Sequence, residues 1–379
     1  MAGTTLDLSG LDGVNPLGFL TTLGTITTLR QAGETKLRLH WKRTRTWTPV
    51  LEGLTTLDPA KLSNLIAAAL HGQEVSGDTE KASTDAQRQF DTAKKVAADK
   101  KKALRSRGLD RAGRDAAVEQ ELRPLEQSRD DLRQRWLEAL KKAVPSPELV
   151  IGKRIGDCKP QEFREYANSF IVDASCRERD TLDLLAAFGS DACRERTADA
   201  IVSTPFSFIN GSGHQFFLET VRGLIAQVTP ERIHQTLFEP WRYQDEQFSM
   251  RWDPSEDRRY ALMDRNPTAS GNKSKTVWMA NLLAYRALAL FPCAPGQHGL
   301  VTTAWTTSDD ERAFTWPIWQ VPATLDTVRS LLQQRELANA DSNRAFLRAR
   351  GIAAVFRSRR IKVGAGANFK LNFTPAQCL

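Results

Sequence analysis

Asn15-Pro16-Leu17-Gly18-Phe19-Leu20 begins the segment that decides the fold class. Asparagine is a favoured N-cap and proline a favoured first helical residue, so these residues predict the start of a helix. Apolar residues keep helical spacing from there until Gly33, where the helix should end. Lys36–Trp41 then alternates polar and apolar residues, and Thr46–Leu51 extends that pattern toward a second short strand. A helix followed by strands predicts an α+β fold.

The stretch from Lys81 to Lys142 has a different composition, with 28 charged residues among its 62. Phe90, Ala97 and Leu104 nevertheless recur every seven positions. The apolar stripe continues at Ala93, Val118, Leu122, Leu125, Leu132, Trp136 and Leu140. This pattern predicts an antiparallel helical hairpin with a narrow, coiled-coil-like seam. The break should lie near residues 106–113, and Pro124 should kink the second helix or delay its start.

We therefore expect a mixed helical and small antiparallel-sheet globular body that carries an inserted antiparallel helical hairpin. The predicted segments are 1–80 (N-terminal α+β part of the body), 81–145 (charged hairpin), 146–340 (α+β body) and 341–379 (basic C-terminal β-hairpin). Further helices are predicted over Pro59–His71, Gln161–Ile171, Thr181–Phe188, Gln215–Ala226, Pro230–Phe238, Thr276–Leu290 and Leu325–Leu337. Further strands are predicted over Leu149–Ile151, Leu300–Trp305, Phe314–Trp319, Ala354–Val363 and Asn368–Phe373. The second is expected to pair with the third, and the fourth with the fifth.

The net charge of +8 is concentrated in two places. Residues 344–379 contain eight basic and no acidic side chains, and residues 81–142 contain 17 basic and 11 acidic ones. The rest of the chain is mildly acidic, with 28 basic against 34 acidic residues. Binding a polyanion requires positive charge on one surface, so this local excess favours a nucleic-acid ligand.

Cysteine and hydropathy patterns predict a cytoplasmic protein without a membrane segment. The five cysteines are scattered, no secretory leader precedes them, and a reducing compartment suits them. The longest apolar stretches fall short of the roughly 18 residues that a spanning helix needs. Neither the cysteines nor the five histidines have the spacing of a metal site, so no metal and no cofactor is expected.

Two loops are candidate phosphate contacts. Gly271-Asn-Lys-Ser-Lys-Thr276 lacks the glycines of an ATP-binding loop, but Lys273 and Lys275 stand ahead of a predicted helix. Asn210-Gly-Ser-Gly-His214 precedes another helix, and its backbone could approach a phosphate or a sugar. We also consider Asn210, Ser212, Asn272 and Lys273 as readers of bases in a groove, and His214 as a binding residue. A solvated loop and a simple helix cap are the alternatives.

The basic tail is the strongest functional signal. Its candidate nucleic-acid contacts are Arg357, Arg359, Arg360, Lys362 and Lys370. The predicted hairpin would present its arginines together, and Phe356, Phe369 and Phe373 are interleaved with the charges. Lys101, Lys102 and Arg105, near the tip of the helical hairpin, are further candidates, although charged faces of coiled coils are usually only solvated.

Residues 253–257 contain three carboxylates, Asp253, Glu256 and Asp257, followed directly by two arginines. They could hold a divalent ion, but neighbouring arginines favour an ion-pair network instead. The tryptophans and phenylalanines of the C-terminal half could stack on bases, and most of them are expected in the core.

Several longer phrases resemble proteins of type I-G (formerly I-U) CRISPR-Cas effector complexes. They are Gly10-Leu-Asp-Gly-Val-Asn-Pro-Leu-Gly-Phe19, Trp47-Thr-Pro-Val-Leu51, Trp252-Asp-Pro-Ser-Glu-Asp-Arg-Arg-Tyr-Ala-Leu262, Phe314-Thr-Trp-Pro-Ile-Trp319 and Val328-Arg-Ser-Leu-Leu332. The resemblance covers the first 55 residues and residues 245–335, so the helical hairpin and the tail lie outside it. It implies a subunit of a Cascade-like complex that binds guide RNA and target DNA, with inspection of the flanking motif as a possible role of a large subunit.

Three functions remain open from the sequence. The first is a non-catalytic subunit that contacts guide RNA, double-stranded target DNA or both, together with other effector subunits, and that takes no small-molecule substrate. The second is a scaffold or adaptor that docks onto partner subunits through the helical hairpin. The third is a metal-dependent nucleic-acid enzyme that uses the carboxylates of residues 253–257.

Overall fold

The computed structural model describes residues 5–71, 76–171, 176–209, 215–256, 275–307, 312–363 and 370–379. The chain forms two compact units. One unit contains Met1–His71 and Lys153–Leu379, and the other contains Gly72–Gly152. We call them the body and the hairpin unit. The α+β fold class is confirmed, because the body combines helices with small antiparallel sheets.

The described α-helices are α1 (Pro16–Gln31), α2 (Pro59–His71), α3 (Gly77–Ser106), α4 (Arg111–Ala117), α5 (Arg123–Ala143), α6 (Pro160–Asn168), α7 (Cys176–Phe188), α8 (Phe217–Ile225), α9 (Pro230–Phe238), α10 (Trp278–Arg286), α11 (Leu325–Leu332) and α12 (Arg344–Ala349). The described strands are β1 (Thr5–Asp7), β2 (Arg38–Arg43), β3 (Trp47–Glu52), β4 (Cys293–Gly296), β5 (Gly299–Thr302), β6 (Trp305–Thr307), β7 (Arg312–Trp319), β8 (Ile352–Val363), β9 (Lys370–Phe373) and β10 (Gln377–Cys378). Among the residues that the structure describes, no helix is long and apolar enough to cross a bilayer.

Helix α1 lies at the centre of the body and packs against α10. It begins as the sequence predicts, since the Asn15 side chain accepts a hydrogen bond from the Leu17 amide at 2.8 Å. Its threonines are buried, and each of those hydroxyls donates to the carbonyl four residues earlier, as Thr21 does to Leu17 at 2.7 Å. These bonds satisfy the hydroxyls, so polar residues can occupy a helix that is buried on every side.

Three antiparallel sheets complete the body among the described residues. Strands β1, β3 and β2 form one sheet in that order, and β4 pairs with β5. The third sheet has the order β10-β8-β7-β6, with β9 paired to the far end of β8. Indole groups join the first and third sheets, because Trp319 Nε1 donates to the Leu39 carbonyl at 2.8 Å. Residues 341–379 thus supply three strands of the largest sheet.

In the hairpin unit, the seam between α3 and α5 follows most of the predicted stripe, but Val118, in the π-helical turn, is exposed. Phe90 stacks on Trp136 with ring centroids 5.4 Å apart, and Ala97, Leu104 and Leu140 are buried. Helix α3 ends at Ser106, inside the predicted break. A π-helical turn at Val118–Leu122 precedes α5, which places Pro124 in the first turn of that helix, where its missing N–H costs little.

Two predicted strands differ from the structure. Residues 147–150 form a 3-10 turn, not the strand predicted at Leu149–Ile151, because Pro147 favours the start of a helical turn. The predicted strand Leu300–Trp305 is split into β5, which pairs with β4, and β6, which pairs with β7 through Trp305 and Phe314. Ala304, between them, has a left-handed φ of 66° that breaks the extended chain.

Candidate nucleic-acid interface

Five of the predicted loop contacts lie outside the described residues: Asn210, Ser212, His214, Asn272 and Lys273. Lys275 is described, and it is exposed immediately before Thr276. The Thr276 backbone forms a bridge with Asp245 through an N–H donated at 2.8 Å. Lys275 therefore directly precedes a residue whose backbone is fixed by hydrogen bonds to Asp245.

The tail arginines of β8 do not project together, which corrects the prediction for this strand. Arg357 donates through Nε to Thr315 Oγ1 at 3.0 Å and through a terminal nitrogen to the Ala338 carbonyl at 2.6 Å. Arg360 donates to the Pro205 carbonyl at 3.1 Å. Arg359 is exposed between them. Side chains alternate along a strand, so Arg357 and Arg360 point to opposite faces of the central strand β8, and both guanidinium groups are used in the fold.

Arg360 lies close to a second arginine. Its guanidinium carbon stands 5.9 Å from the Phe208 ring centroid. Burial, and secondarily the positive charge of Arg312, lowers the pKa of Arg360 to about 10. Arg312 begins β7 one residue before Ala313, the partner of Arg359 in the sheet. Two positive charges are thus close together at this end of the sheet.

A second pair of cations consists of Lys370 on β9 and Arg251 in the segment before residue 256. The pKa of Lys370 is lowered, first by the charge of Arg251 and then by burial. Strand β9 has Cα atoms within 8 Å of those in the 3-10 turn Pro254–Glu256. Lys362 is exposed on β8, opposite Leu371. Within the described part of the chain, Arg251, Arg312, Arg360 and Lys370 form no ion pair with a carboxylate.

Arg251 belongs to a segment with unusual backbone geometry. Four residues in it that are not glycine have left-handed φ values: Tyr243 (50°), Gln247 (67°), Phe248 (46°) and Arg251 (62°). Each such residue costs about 1 kcal/mol or more and persists only where the surroundings hold it. Phe248 is held against Gly223 of α8, where an added Cβ would lie 2.4 Å from the ring. We call residues 243–251 the left-handed segment.

Asp253 anchors the left-handed segment from one side. Its carboxylate is fully buried and accepts three hydrogen bonds: from the Tyr243 hydroxyl at 2.8 Å, the Asn15 Nδ2 at 3.1 Å and the Ser255 amide at 2.9 Å. The charge is thus satisfied by protein donors. Burial, followed by the Asp253 charge, raises the pKa of Tyr243, so the phenol stays a donor.

Glu256 anchors the same segment from the other side. It accepts a hydrogen bond from Thr276 Oγ1 at 2.7 Å and a very short one from the Ser249 hydroxyl. Burial raises the pKa of Glu256 to about 7, against the effect of those two hydrogen bonds. Asn281 Nδ2 donates to Thr276 Oγ1 at 2.8 Å, and its Oδ1 accepts from the Met250 amide. One polar network therefore joins the left-handed segment to the first turn of α10.

This network bears on the predicted carboxylate cluster. Asp253 and Glu256 point at hydroxyl, amide and side-chain amide donors, which compete with any metal for their oxygens. The third carboxylate, Asp257, lies outside the described residues. In the part of the chain that is described, no three side chains among His, Cys, Asp and Glu cluster closely enough to hold a metal ion.

At the tip of the hairpin unit, the basic residues divide into two sets. Lys100 and Arg107 both pair with Glu121, at 2.5 and 2.7 Å, and these contacts lower the pKa of Glu121. Lys101, Lys102 and Arg105 are exposed, and none of them pairs with a described carboxylate. With about 100° of turn per residue, Lys101 and Arg105 share a flank of α3, and Lys102 lies beside it.

Most of the aromatic side chains considered for base stacking are in the core. Phe356 and Phe373 of the tail are 6% and 0% exposed, and Trp252, Trp305, Phe314, Trp316 and Trp319 are also buried. Trp241, Tyr243 and Phe248 are half-buried, and Phe369 is outside the described residues. Stacking by the tail phenylalanines is thus excluded for the two that are described, because β8 and β9 turn them into the aromatic core.

Sequence reasoning did not single out Arg251 and Arg312, the cations that lie near Lys370 and Arg360. No local pattern marks either of them, since their neighbours Lys370 and Arg360 are far away along the chain. Comparison of the chain with protein-family models, with curated proteins and with solved structures found no match.

Proposed function

We propose that this chain is a non-catalytic, nucleic-acid-binding subunit of an RNA-guided defence complex in the cytoplasm. The observation that carries the proposal is two pairs of neighbouring cations beside the large sheet, Arg312 with Arg360 and Arg251 with Lys370. Arg251, Arg312, Arg360 and Lys370 come from different segments. The pKa of Arg360 is lowered by burial and then by the charge of Arg312, and the pKa of Lys370 by the charge of Arg251 and then by burial. Holding like charges together costs free energy in the absence of a ligand. A polyanion would recover that cost.

Nucleic acid is the polyanion that this arrangement favours. Its phosphates are regularly spaced, and each cation that neutralises one releases condensed counterions. The exposed Lys101, Lys102 and Arg105 of the hairpin unit would add contacts to the same strand or to another one. The resemblance to type I-G effector proteins suggests guide RNA and target DNA as the ligands, because guide pairing reads the target and leaves backbone contacts to the protein.

Fluorescence anisotropy with the purified full chain tests the binding function. Labelled single-stranded RNA, single-stranded DNA and double-stranded DNA would be titrated at several salt concentrations. We expect binding whose logarithmic affinity falls linearly with the logarithm of salt concentration. Absence of binding to all three at low salt would contradict the proposal.

Membership in a complex requires a separate experiment. The tagged chain would be expressed together with type I-G effector subunits and a guide RNA, then purified through its tag. Co-purification of RNA and at least one subunit after a nuclease-free wash at low salt is the expected result, because high salt weakens phosphate contacts. Recovery of the chain alone would limit the function to nucleic-acid binding.

A further inference from the structure

Arg251 and Lys370 are two cations of the candidate interface whose backbone positions are fixed by hydrogen bonds within the body. We propose that they form a subsite for one phosphate group of the bound nucleic-acid strand. This inference rests on the function proposed above and names the chemical group that is bound. Arg360, in contrast, already donates to the Pro205 carbonyl and has a role in the fold.

The placement of Arg251 depends on the left-handed segment. The Arg251 amide donates to Ser249 Oγ at 2.9 Å, and its neighbours Met250 and Trp252 are fully buried. The Trp252 indole donates to the Phe206 carbonyl at 3.0 Å. With both neighbours fixed in the core and a φ of 62°, the Arg251 side chain can leave the backbone only over a narrow range of directions.

Lys370 approaches from β9, whose register is fixed by its pairing with β8. Val363 lies opposite Lys370, and Arg360 lies opposite Phe373, which is buried in the aromatic core. Strand β9 packs beside the turn Pro254–Glu256, three residues after Arg251. Both cations are thus carried by elements that the body fixes, and the Arg251 charge is the first cause of the lowered pKa of Lys370, so the free energy of bringing them together is spent in folding.

A phosphate fits this position better than a carboxylate or a neutral group. It has several acceptor oxygens, so it can accept from a guanidinium and an ammonium group at once, and its charge removes their mutual repulsion. The charge of Glu256 raises the pKa of Arg251, but burial has the larger effect and the pKa of Arg251 is lowered, while Ser249 and Thr276 donate to the Glu256 oxygens. Glu256 also fixes the segment that carries Arg251.

The test uses the full chain and a labelled single-stranded RNA. Arg251→Gln and Lys370→Gln should each weaken binding about tenfold. Each should also reduce the slope of logarithmic affinity against logarithmic salt by about 0.7, the value for one lost phosphate contact on a single strand. Arg251→Lys, which keeps the charge, should restore most of the slope. Lys61→Gln removes an equal charge from the exposed face of α2 and should leave the slope unchanged.

Two results would overturn the subsite. One is wild-type affinity and slope in both glutamine variants while the wild-type chain binds RNA, which would leave the general function standing. The other is a loss in Lys61→Gln as large as in Lys370→Gln, which would indicate a diffuse field instead of a site. If Arg251→Gln fails to fold, as judged by thermal unfolding, Lys370→Gln decides alone, because Lys370 is exposed. Failure of the wild-type chain to bind any nucleic acid would instead remove the proposed function.

The source of the phosphate is determined by a further pair of probes. RNA with a 5′-phosphate and the same RNA with a 5′-hydroxyl would be compared on wild-type and Lys370→Gln protein. If the wild-type chain prefers the phosphorylated end and the variant does not, the subsite binds a terminal phosphate. If neither discriminates while the glutamine variants still lose affinity, it binds an internal phosphodiester.

Discussion

The hydroxyl of Tyr243 donates a 2.8 Å hydrogen bond to Oδ2 of the fully buried Asp253. Tyr243 is the first residue of the left-handed segment, and Asp253 follows its last residue by two. The bond therefore closes the segment into a loop whose two ends are joined by a charge-assisted contact. This closure gives a physical reason for the persistence of four unfavourable backbone conformations.

Tyr243→Phe removes that donor and leaves a buried carboxylate with one partner fewer. We expect the free energy of unfolding to fall by about 1–3 kcal/mol, the usual cost of such a loss. Urea denaturation followed by circular dichroism measures it. Ser330→Ala, which removes an exposed hydroxyl from α11, is the control and should change stability by less than about 0.5 kcal/mol. Equal effects of the two changes would mean that Tyr243 does not hold the segment.

Glu256 should make the stability of the body depend on pH. Its pKa is raised from 4.5 to about 7 on folding. The folded state therefore retains a proton that the unfolded state loses, and the stability present below pH 4.5 is lost as the pH rises through about 7. The loss is up to about 3 kcal/mol. Glu256→Gln stays neutral, so its stability relative to wild type should increase between pH 5 and pH 8.

Urea titrations of both proteins at several pH values measure this difference. Arg251, Asp253 and Tyr243 also act electrostatically near Glu256, and Lys370 acts on Arg251, but all four are shared by the two proteins. Their contributions largely cancel in the comparison. A difference that stays constant across the pH range would show that Glu256 is ionised throughout.

Local sequence patterns were sufficient for α1 and for most of the hairpin seam, but they did not predict α4 or α12. The Asn15-Pro16 start is confirmed by the bond from the Leu17 amide, and the heptad spacing of Phe90, Ala97 and Leu104 is confirmed by their burial in the seam. These features depend on residues that lie within a few helical turns of one another. Periodicity and capping express those short-range constraints directly.

The interface could not be predicted in the same way. Arg359 and Arg360 are neighbours in the sequence, yet one is exposed and the other lies against Phe208 and Pro205. That difference arises because successive side chains of β8 point to opposite faces, and at Arg360 the face is covered by residues from a distant segment. Arg251 likewise acquires its position from φ angles that only the surrounding network stabilises. Such constraints are tertiary, and no local pattern records them.

Arg357 and Arg360 should matter for stability. Arg357→Ala removes contacts with Thr315 and Ala338, and Arg360→Ala removes the contact with Pro205. We expect each to lower the free energy of unfolding by about 1–3 kcal/mol. Arg348→Ala, at an exposed position of α12, is the control and should change it by less than about 0.5 kcal/mol. Chemical denaturation of the three variants tests this, and an effect of Arg348→Ala as large as the other two would contradict the assignment.

Gly24 allows α1 to approach α10. A Cβ at this position would lie 1.6 Å from the Leu283 carbonyl oxygen, a backbone atom that cannot move aside independently. Gly24→Ala should therefore destabilise the body by about 3 kcal/mol. Gly77→Ala, at the start of α3 with nothing within 4 Å, should be neutral or slightly stabilising. Thermal unfolding of both variants measures the contrast, and comparable midpoints would mean that the two helices can separate without cost.

The hairpin unit provides a matched test of whether its exposed cations bind nucleic acid. Lys100 and Lys102 stand two residues apart on α3, but Lys100 is paired with Glu121 and Lys102 has no such partner among the described residues. Lys102→Gln should reduce the salt dependence of RNA binding by about 0.7 in slope, and Lys100→Gln should reduce it less, although both remove the same formal charge.

Replacing Lys101, Lys102 and Arg105 together by glutamine extends this test. The slope should fall by about 2, because three exposed phosphate contacts are lost at about 0.7 each. The seam residues Phe90 and Trp136 are unchanged, so unfolding of the hairpin unit should be unaffected. An unchanged slope in the triple variant, with normal binding by the body, would assign these cations to solvent or to a protein partner instead of to nucleic acid.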